Sequence, residues 1–331
     1  MNSAFFCNLC RFKVKALRVA YSVSFRRLRC AETIPHSPPS TFTTRLSTLR
    51  HLLTSRSTVI ANIPHSLHKK IARHIANCSK EWGLIEEGDR IMLAYSGGKD
   101  SLLLLHFMRH IQSVVPFSFE IGVFHLNQSY PDFPAKDVLE ELKTEGFRVD
   151  YEMLAMSDIL AEKIPANESP CGLCSRLRRG ILYTQAQNLS YNKIALGHHR
   201  DDAIETLLMN ALYAGRLKSM PAKLVSDDKR NIIIRPMLYV PERLLIEASQ
   251  SLSIPLIEAS FCTRARSGQR SEIKTLLNHL EALNPKVRGN LLAALRNVSP
   301  SHLLDRSLFG EELENDLFST TKTGNHRTKE A

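Results

Sequence analysis

Six consecutive residues, Ser96-Gly97-Gly98-Lys99-Asp100-Ser101, are of the types needed to hold a phosphate. Two glycines let the backbone approach an anion closely, and a helix starting just beyond them points free N–H groups and a positive dipole end at the bound group. Lys99 adds a point charge, and Ser96 and Ser101 set a hydroxyl on either side. Asp100 repels phosphate unless it holds Mg2+ or caps the helix. The competing reading is a tight strand-to-helix turn with a solvated lysine. Walker A is excluded, because Leu93 stands where that motif needs Gly and Asp100 where it needs Ser or Thr.

Cysteines form the second reactive set. Cys171 and Cys174 have metal-ligand spacing at the expected start of a helix, so both sulfurs can face one ion. Cys262 is a third thiol in the body of the chain, and Cys78 lies near the first helix. Structural zinc needs four ligands, three thiolates suit an Fe–S cluster with one open iron, and a redox dithiol is the remaining reading. Seven cysteines with no secretory h-region fit a reducing, cytoplasmic compartment.

The run His198-His199-Arg200-Asp201-Asp202 also stands where a strand passes into a helix. An acid there either caps the helix, the reading given to Asp201, or reaches Mg2+ or an activated nucleotide, the reading given to Asp202. Arg176, Arg178 and Arg179 fall within about one helical turn, as an RNA-phosphate contact or as a solvated face.

From about residue 66 strands alternate with helices, the pattern of a Rossmann-like, doubly wound, mostly parallel sheet with a helical C-terminal part. Strands are expected at 90–95, 119–126, 148–154, 193–196 and 231–235. Pro64 and Ser66 are expected to introduce a helix with the apolar stripe Leu67, Ile71 and Ile75, and further helices are expected at 101–111, 134–145, from the loop carrying Cys171 to about 188, and at 201–213, 241–252, 269–283 and 284–297. In such a sheet the ligand sits beyond the carboxyl ends of the strands, where the Gly-Gly segment falls. Residues 61–310 are expected to form the folded domain, with 311–331 as a flexible tail.

The chain has 331 residues and a formal charge of +11. That excess favours a polyanionic partner such as RNA. Residues 1–60 hold eight Arg and two Lys against the single acid Glu32, which suits a transit peptide, a disordered extension or a start codon placed too far upstream. Basic groups persist further on, including Arg264, Arg266 and Arg270. No run reaches the roughly 18 apolar residues of a membrane span.

The loop from Ser96 to Ser101 resembles the PP-loop of the ATP pyrophosphatases, whose fold is adenine nucleotide alpha hydrolase-like. These enzymes cleave ATP between its α and β phosphates and adenylate a substrate. The segments Cys171 to Tyr183 and Leu196 to Asp202 are similar to the tRNA 2-thiocytidine synthetase (TtcA) family, and so in order are Gly88 to Met92, Met220 to Leu224, Ile234 to Pro236 and Pro300 to Leu303. The likeness covers about residues 66 to 310.

It implies ATP at Ser96 to Ser101, with Lys99, Asp100 and Asp202 as catalytic residues and Mg2+ on Asp100. It also implies a [4Fe–4S] cluster on Cys171, Cys174 and Cys262 that delivers sulfur to the cytidine at position 32 of tRNA. A cysteine desulfurase is the implied sulfur donor, and a homodimer is compatible with the sequence. One departure stands out: the family usually has a second Cys-x-x-Cys followed by Gly-Ser-Gln, whereas Ala259 precedes Cys262 here and Thr263-Arg264-Ala265 follows. Lysidine and thiouridine synthetases share the PP-loop, but lysidine chemistry needs no thiol.

Overall fold

The computed structural model describes residues 63–128, 135–164, 171–251 and 268–308, all within the compact unit Ser55–Ala331. Helix α1 (His65–Trp82) leads into β1 (Arg90–Tyr95), α2 (Lys99–Val114), β2 (Glu120–Asn127), α3 (Ala135–Thr144), β3 (Arg148–Met153), α4 (Met156–Lys163) and α5 (Cys171–Asn188). There follow β4 (Lys193–Ala195), α6 (Arg200–Ala214), β5 (Lys223–Val225), β6 (Ile232–Ile234), α7 (Glu242–Ser249), α8 (Gln269–Leu283) and α9 (Val287–Ala294). The expected extension 1–60, the tail 311–331, Cys7, Cys10, Cys30, Cys262, Arg264 and Arg266 lie outside the described residues.

The strands form one six-stranded sheet in the order β3-β2-β1-β4-β6-β5, parallel throughout except for the antiparallel β5–β6 pair. Ile91, Met92, Leu93 and Tyr95 of β1 are all buried, without alternation, because helices cover both faces of a parallel sheet. Helix α2 buries Leu102 through Leu105 completely, together with Phe107 and Met108, so it is apolar around its whole girth. It sits deepest in the core, which fixes the start of the helix, and hence Gly98 and Lys99, against the sheet.

Two elements go beyond the expected set. The short helix α4 fills the connection after β3, and β5 is an edge strand of three residues with Leu224 and Val225 exposed. Other bounds shift by a few residues: α2 begins at Lys99 rather than 101, and α9 spans only Val287–Ala294. Gly146 closes α3 at φ +84°, a left-handed geometry that favours glycine. Among the described residues no helix is long and apolar enough to cross a membrane.

Chain order reverses between β1 and β4, which are hydrogen-bonded neighbours. The crevice at such a switch point is where open α/β sheets take their ligands. Both conspicuous loops, 96–98 after β1 and 196–199 after β4, open into it.

Candidate functional site

The loop after β1 is held by its own serines. Ser101 is buried, and its Oγ accepts from the Ser96 amide at 3.1 Å and donates to the Gly98 carbonyl at 3.0 Å. Ser96 Oγ lies 3.1 Å from Ser101 Oγ. Gly97 has φ +87°, a left-handed conformation strained for any side chain. Gly98 is the N-cap of α2 in an extended conformation with no side chain on its cap. The first turn of α2 therefore presents amide groups free to meet an anion.

Lys99 Nζ donates to both oxygens of Asp100, at 2.8 and 2.9 Å, and lies 4.0 Å from Glu242 Oε1 at the start of α7. Glu242 is itself held by Lys274 of α8, at 3.0 and 3.1 Å. Sequence reasoning missed Glu242; its only sign was an acid directly after Pro241 at a helix start. Glu242→Gln is expected to raise the apparent KM for ATP about threefold, the scale of a partly exposed ion pair. An unchanged KM would exclude Glu242 from steering Lys99.

Gly197, after β4, was also missed as a site residue. A Cβ on it would stand 3.0 Å from the Ser101 amide nitrogen, 3.1 Å from Ser101 Cα and 3.2 Å from Asp100 C. These are backbone atoms, so they have little room to give. Gly197→Ala is expected to push the two loops apart by a few tenths of an ångström and weaken ATP binding about tenfold, because anion cradles depend on position. A fluorescent ATP analogue measures this directly, and wild-type affinity would show that the loops need not touch.

The acids after β4 serve structure first. Asp201 is buried; its Oδ2 accepts from the Glu242 amide at 2.8 Å, and its Oδ1 from Arg288 at 2.8 Å and Arg200 at 3.2 Å. Burial works to raise its pKa, but that amide and the two guanidinium groups outweigh it and hold the carboxyl below its usual range. The cap reading of Asp201 takes a different form: it caps α7, not its own helix.

Asp202 makes the capping box of α6, accepting from the His199 amide at 3.0 Å while the Asp202 amide donates to His199 Nδ1 at 3.4 Å. Its other oxygen meets Arg270 at 3.0 Å. Burial is again outweighed, chiefly by His199, and its pKa is lowered. Asp202 is thus occupied as a cap and an ion-pair partner. His198 Nδ1 is buried with no hydrogen-bond partner among the described residues, and burial lowers its pKa to about 4, so it is neutral at pH 7.

Cys171 is exposed and Cys174 half-buried, both in the first turn of α5. Cys174 Sγ lies 3.9 Å from Gln128 Oε1, directly beyond the carboxyl end of β2. The cysteine pair and the phosphate-type loop therefore stand on the same edge of the sheet, at neighbouring strands. No group of three or more His, Cys, Asp or Glu is gathered for a metal ion among the described residues. Arg176, Arg178 and Arg179 are all exposed along α5.

A doubly wound sheet with a Gly-Gly-Lys loop at its switch point defines a PP-loop protein, and residues 67–273 match the PP-loop domain family. The chain belongs to that family, and within it to the tRNA-cytidine(32) 2-sulfurtransferases. It is 43% identical over 246 residues to the tRNA-cytidine(32) 2-sulfurtransferase of Anaeromyxobacter sp. (strain K), covering 74% of this chain and 84% of that one. With tRNA-cytidine(32) 2-sulfurtransferase 1 of Francisella tularensis subsp. novicida it shares 44% over 243 residues, covering 73% and 91%. Among solved structures, the U34-tRNA thiolase NcsA from Methanococcus maripaludis, determined with its [4Fe-4S] cluster, superposes with a TM-score of 0.55. That match has 18% identity and covers 71% of this chain and 80% of NcsA, a likeness of fold.

Proposed function

We propose that this protein is an ATP-dependent tRNA-cytidine(32) 2-sulfurtransferase. The observation that carries the reading is the placement of the Ser96 to Ser101 loop and the Cys171/Cys174 pair beyond the ends of adjacent strands. O2 of the cytidine attacks the α-phosphorus of ATP and pyrophosphate leaves, while the loop amides and Lys99 hold the departing phosphates. Hydrosulfide then adds to C2, AMP departs with the former O2, and the sulfur gives up its proton to leave the C2=S bond. Esterifying that oxygen makes it a good leaving group. Asp100 is the residue available for Mg2+, an ion bound through one or two carboxylates plus substrate phosphates.

Cys171 and Cys174, one turn apart, suit two ligand positions of a [4Fe–4S] cluster, with Cys262 as the third. When bound, such a group would supply sulfur as a positioned nucleophile. A cysteine desulfurase is the sulfur donor by this reading. A cytoplasmic setting fits a tRNA substrate and reduced thiols.

Nucleoside mass spectrometry of tRNA from cells lacking the gene is expected to show loss of 2-thiocytidine; its persistence would reject the substrate. Cys171→Ser is expected to abolish thiolation in anaerobically purified protein while pyrophosphate release continues. If thiolation survives in that variant, sulfur does not reach the substrate through this cysteine.

A further inference from the structure

We propose that an open cavity formed around Trp82 is a docking site for an unpaired RNA base, separate from the crevice that holds the ATP loop. The inference rests on tRNA being the substrate. Trp82, the last residue of α1, is the chain's only tryptophan and is 43% exposed, unusual for so large an apolar side chain. Its indole Nε1 donates to Tyr239 Oη at 2.7 Å, and Arg296 lies over the Tyr239 ring at 5.1 Å. The two rings and the guanidinium line a cavity of about 270 Å³, floored by Met220, Pro221 and Leu238. Small-molecule sites begin at roughly 300 Å³, so this cavity suits one flat ring system rather than an extended ligand.

The surrounding charge selects among flat groups. Arg296 stands in the wall, and Lys80 is exposed two residues before Trp82. Lys223 donates to the Gly83 carbonyl next to Trp82, and Arg235 donates to the carbonyl of Pro221 in the floor. The segment leading into the cavity, Arg216 to Lys223, carries three cations and no acid. Against these stand Glu81, paired with Arg296 at 2.7 Å, and Glu86, 4.0 Å from Lys223. Aromatic faces ringed by cations are how single-stranded RNA is held: bases stack on the rings while phosphates meet the charges.

The position is also right for an RNA that reaches the crevice. The floor residues flank the carboxyl end of β6, and the Val240 carbonyl beside Tyr239 accepts from the Arg200 amide at the start of α6. Ala203, one residue beyond Asp202, lines the cavity wall. The first turn of α6 thus separates the cavity from the ATP loop, and one RNA can lie across both. The Met220-Pro221-Ala222 motif, which lies outside the Ser96 to Ser101 loop, acquires a role here.

Trp82 reports on its own site. Unmodified tRNA transcript is expected to quench its emission saturably, while heparin, a polyanion without bases, leaves the emission unmoved. Trp82→Ala should weaken tRNA retention on filters roughly tenfold, the scale of one lost base stack, and Trp82→Phe should restore most of it. ATP affinity should be unchanged in both variants. If tRNA is retained but Trp82 emission does not respond, or if Trp82→Ala binds tRNA like wild type, the docking site is refuted while the sulfurtransferase reading stands. Quenching of equal size by heparin, or a spectral shift on removing residues 309–331 without RNA, overturns it as well. Failure of the wild-type protein to retain tRNA would sink the tRNA reading itself.

Discussion

Lys99→Ala is expected to leave the fold intact and slow tRNA-dependent pyrophosphate release by about 10² to 10³-fold, the cost of deleting one preorganised group that faces developing negative charge. The side chain makes ion pairs with Asp100 and Glu242 and stands outside the buried core, so the melting temperature should move little. Two effects combine at the site. The cation is lost from the phosphates, and Asp100 loses the ammonium that now binds both of its oxygens. The amides of the first turn of α2 remain, so the loss is large but incomplete. A loss below tenfold in a steady-state pyrophosphate assay would mean that the loop is only a strand-to-helix turn.

The phosphate loop was legible because its chemistry is contiguous: a buried strand, two glycines and a helix start occupy adjacent residues, and each is set by local backbone geometry. The same holds for the alternation that predicted five of the six strands. Strand β5 escaped because it has three residues and little burial, so no apolar period marks it. The site's long-range contacts were invisible for a different reason. Glu242 and Lys99 are distant in the chain, and neither charge reveals a partner until the sheet order places α7 beside α2.

Asp201 and Asp202 show how adjacent, chemically identical residues divide. On a helix they point about 100° apart, so one faces α7 and Arg288 while the other folds back on His199. The sequence offered both as carboxylates near the crevice. Packing gives each its own partners, Asp201 the start of α7 and Asp202 the start of α6 and Arg270. Mutating either would therefore disturb the site through the backbone, which makes Lys99 the sharper probe of catalysis.

The largest expected loss of stability lies away from the site, at Lys193, where β4 begins. A lysine at a strand start reads as solvent-exposed, yet it is 2% exposed, donating to Asp89 and Glu86 at 2.7 Å each and to the Leu84 carbonyl at 3.2 Å. Asp89 is buried too; its carboxylate also accepts from the Glu86 amide at 2.6 Å and from Asn192 at 2.9 Å. The ammonium therefore ties the α1–β1 connection to the head of β4, across the pair of strands whose far ends carry the two loops.

Lys193→Met fills similar volume but leaves Asp89 buried without its counter-charge, which costs about 3–5 kcal/mol. At 2–4 °C per kcal/mol for a domain of this size, thermal unfolding should fall by roughly 10 °C. Adding Asp89→Asn removes the stranded charge and should recover part of the loss, so the two effects are not additive. Thermal melts of the two single variants and the double variant decide the matter. If the double variant is as unstable as the sum of its parts, Lys193 stabilises the fold through packing and not through the buried ion pair.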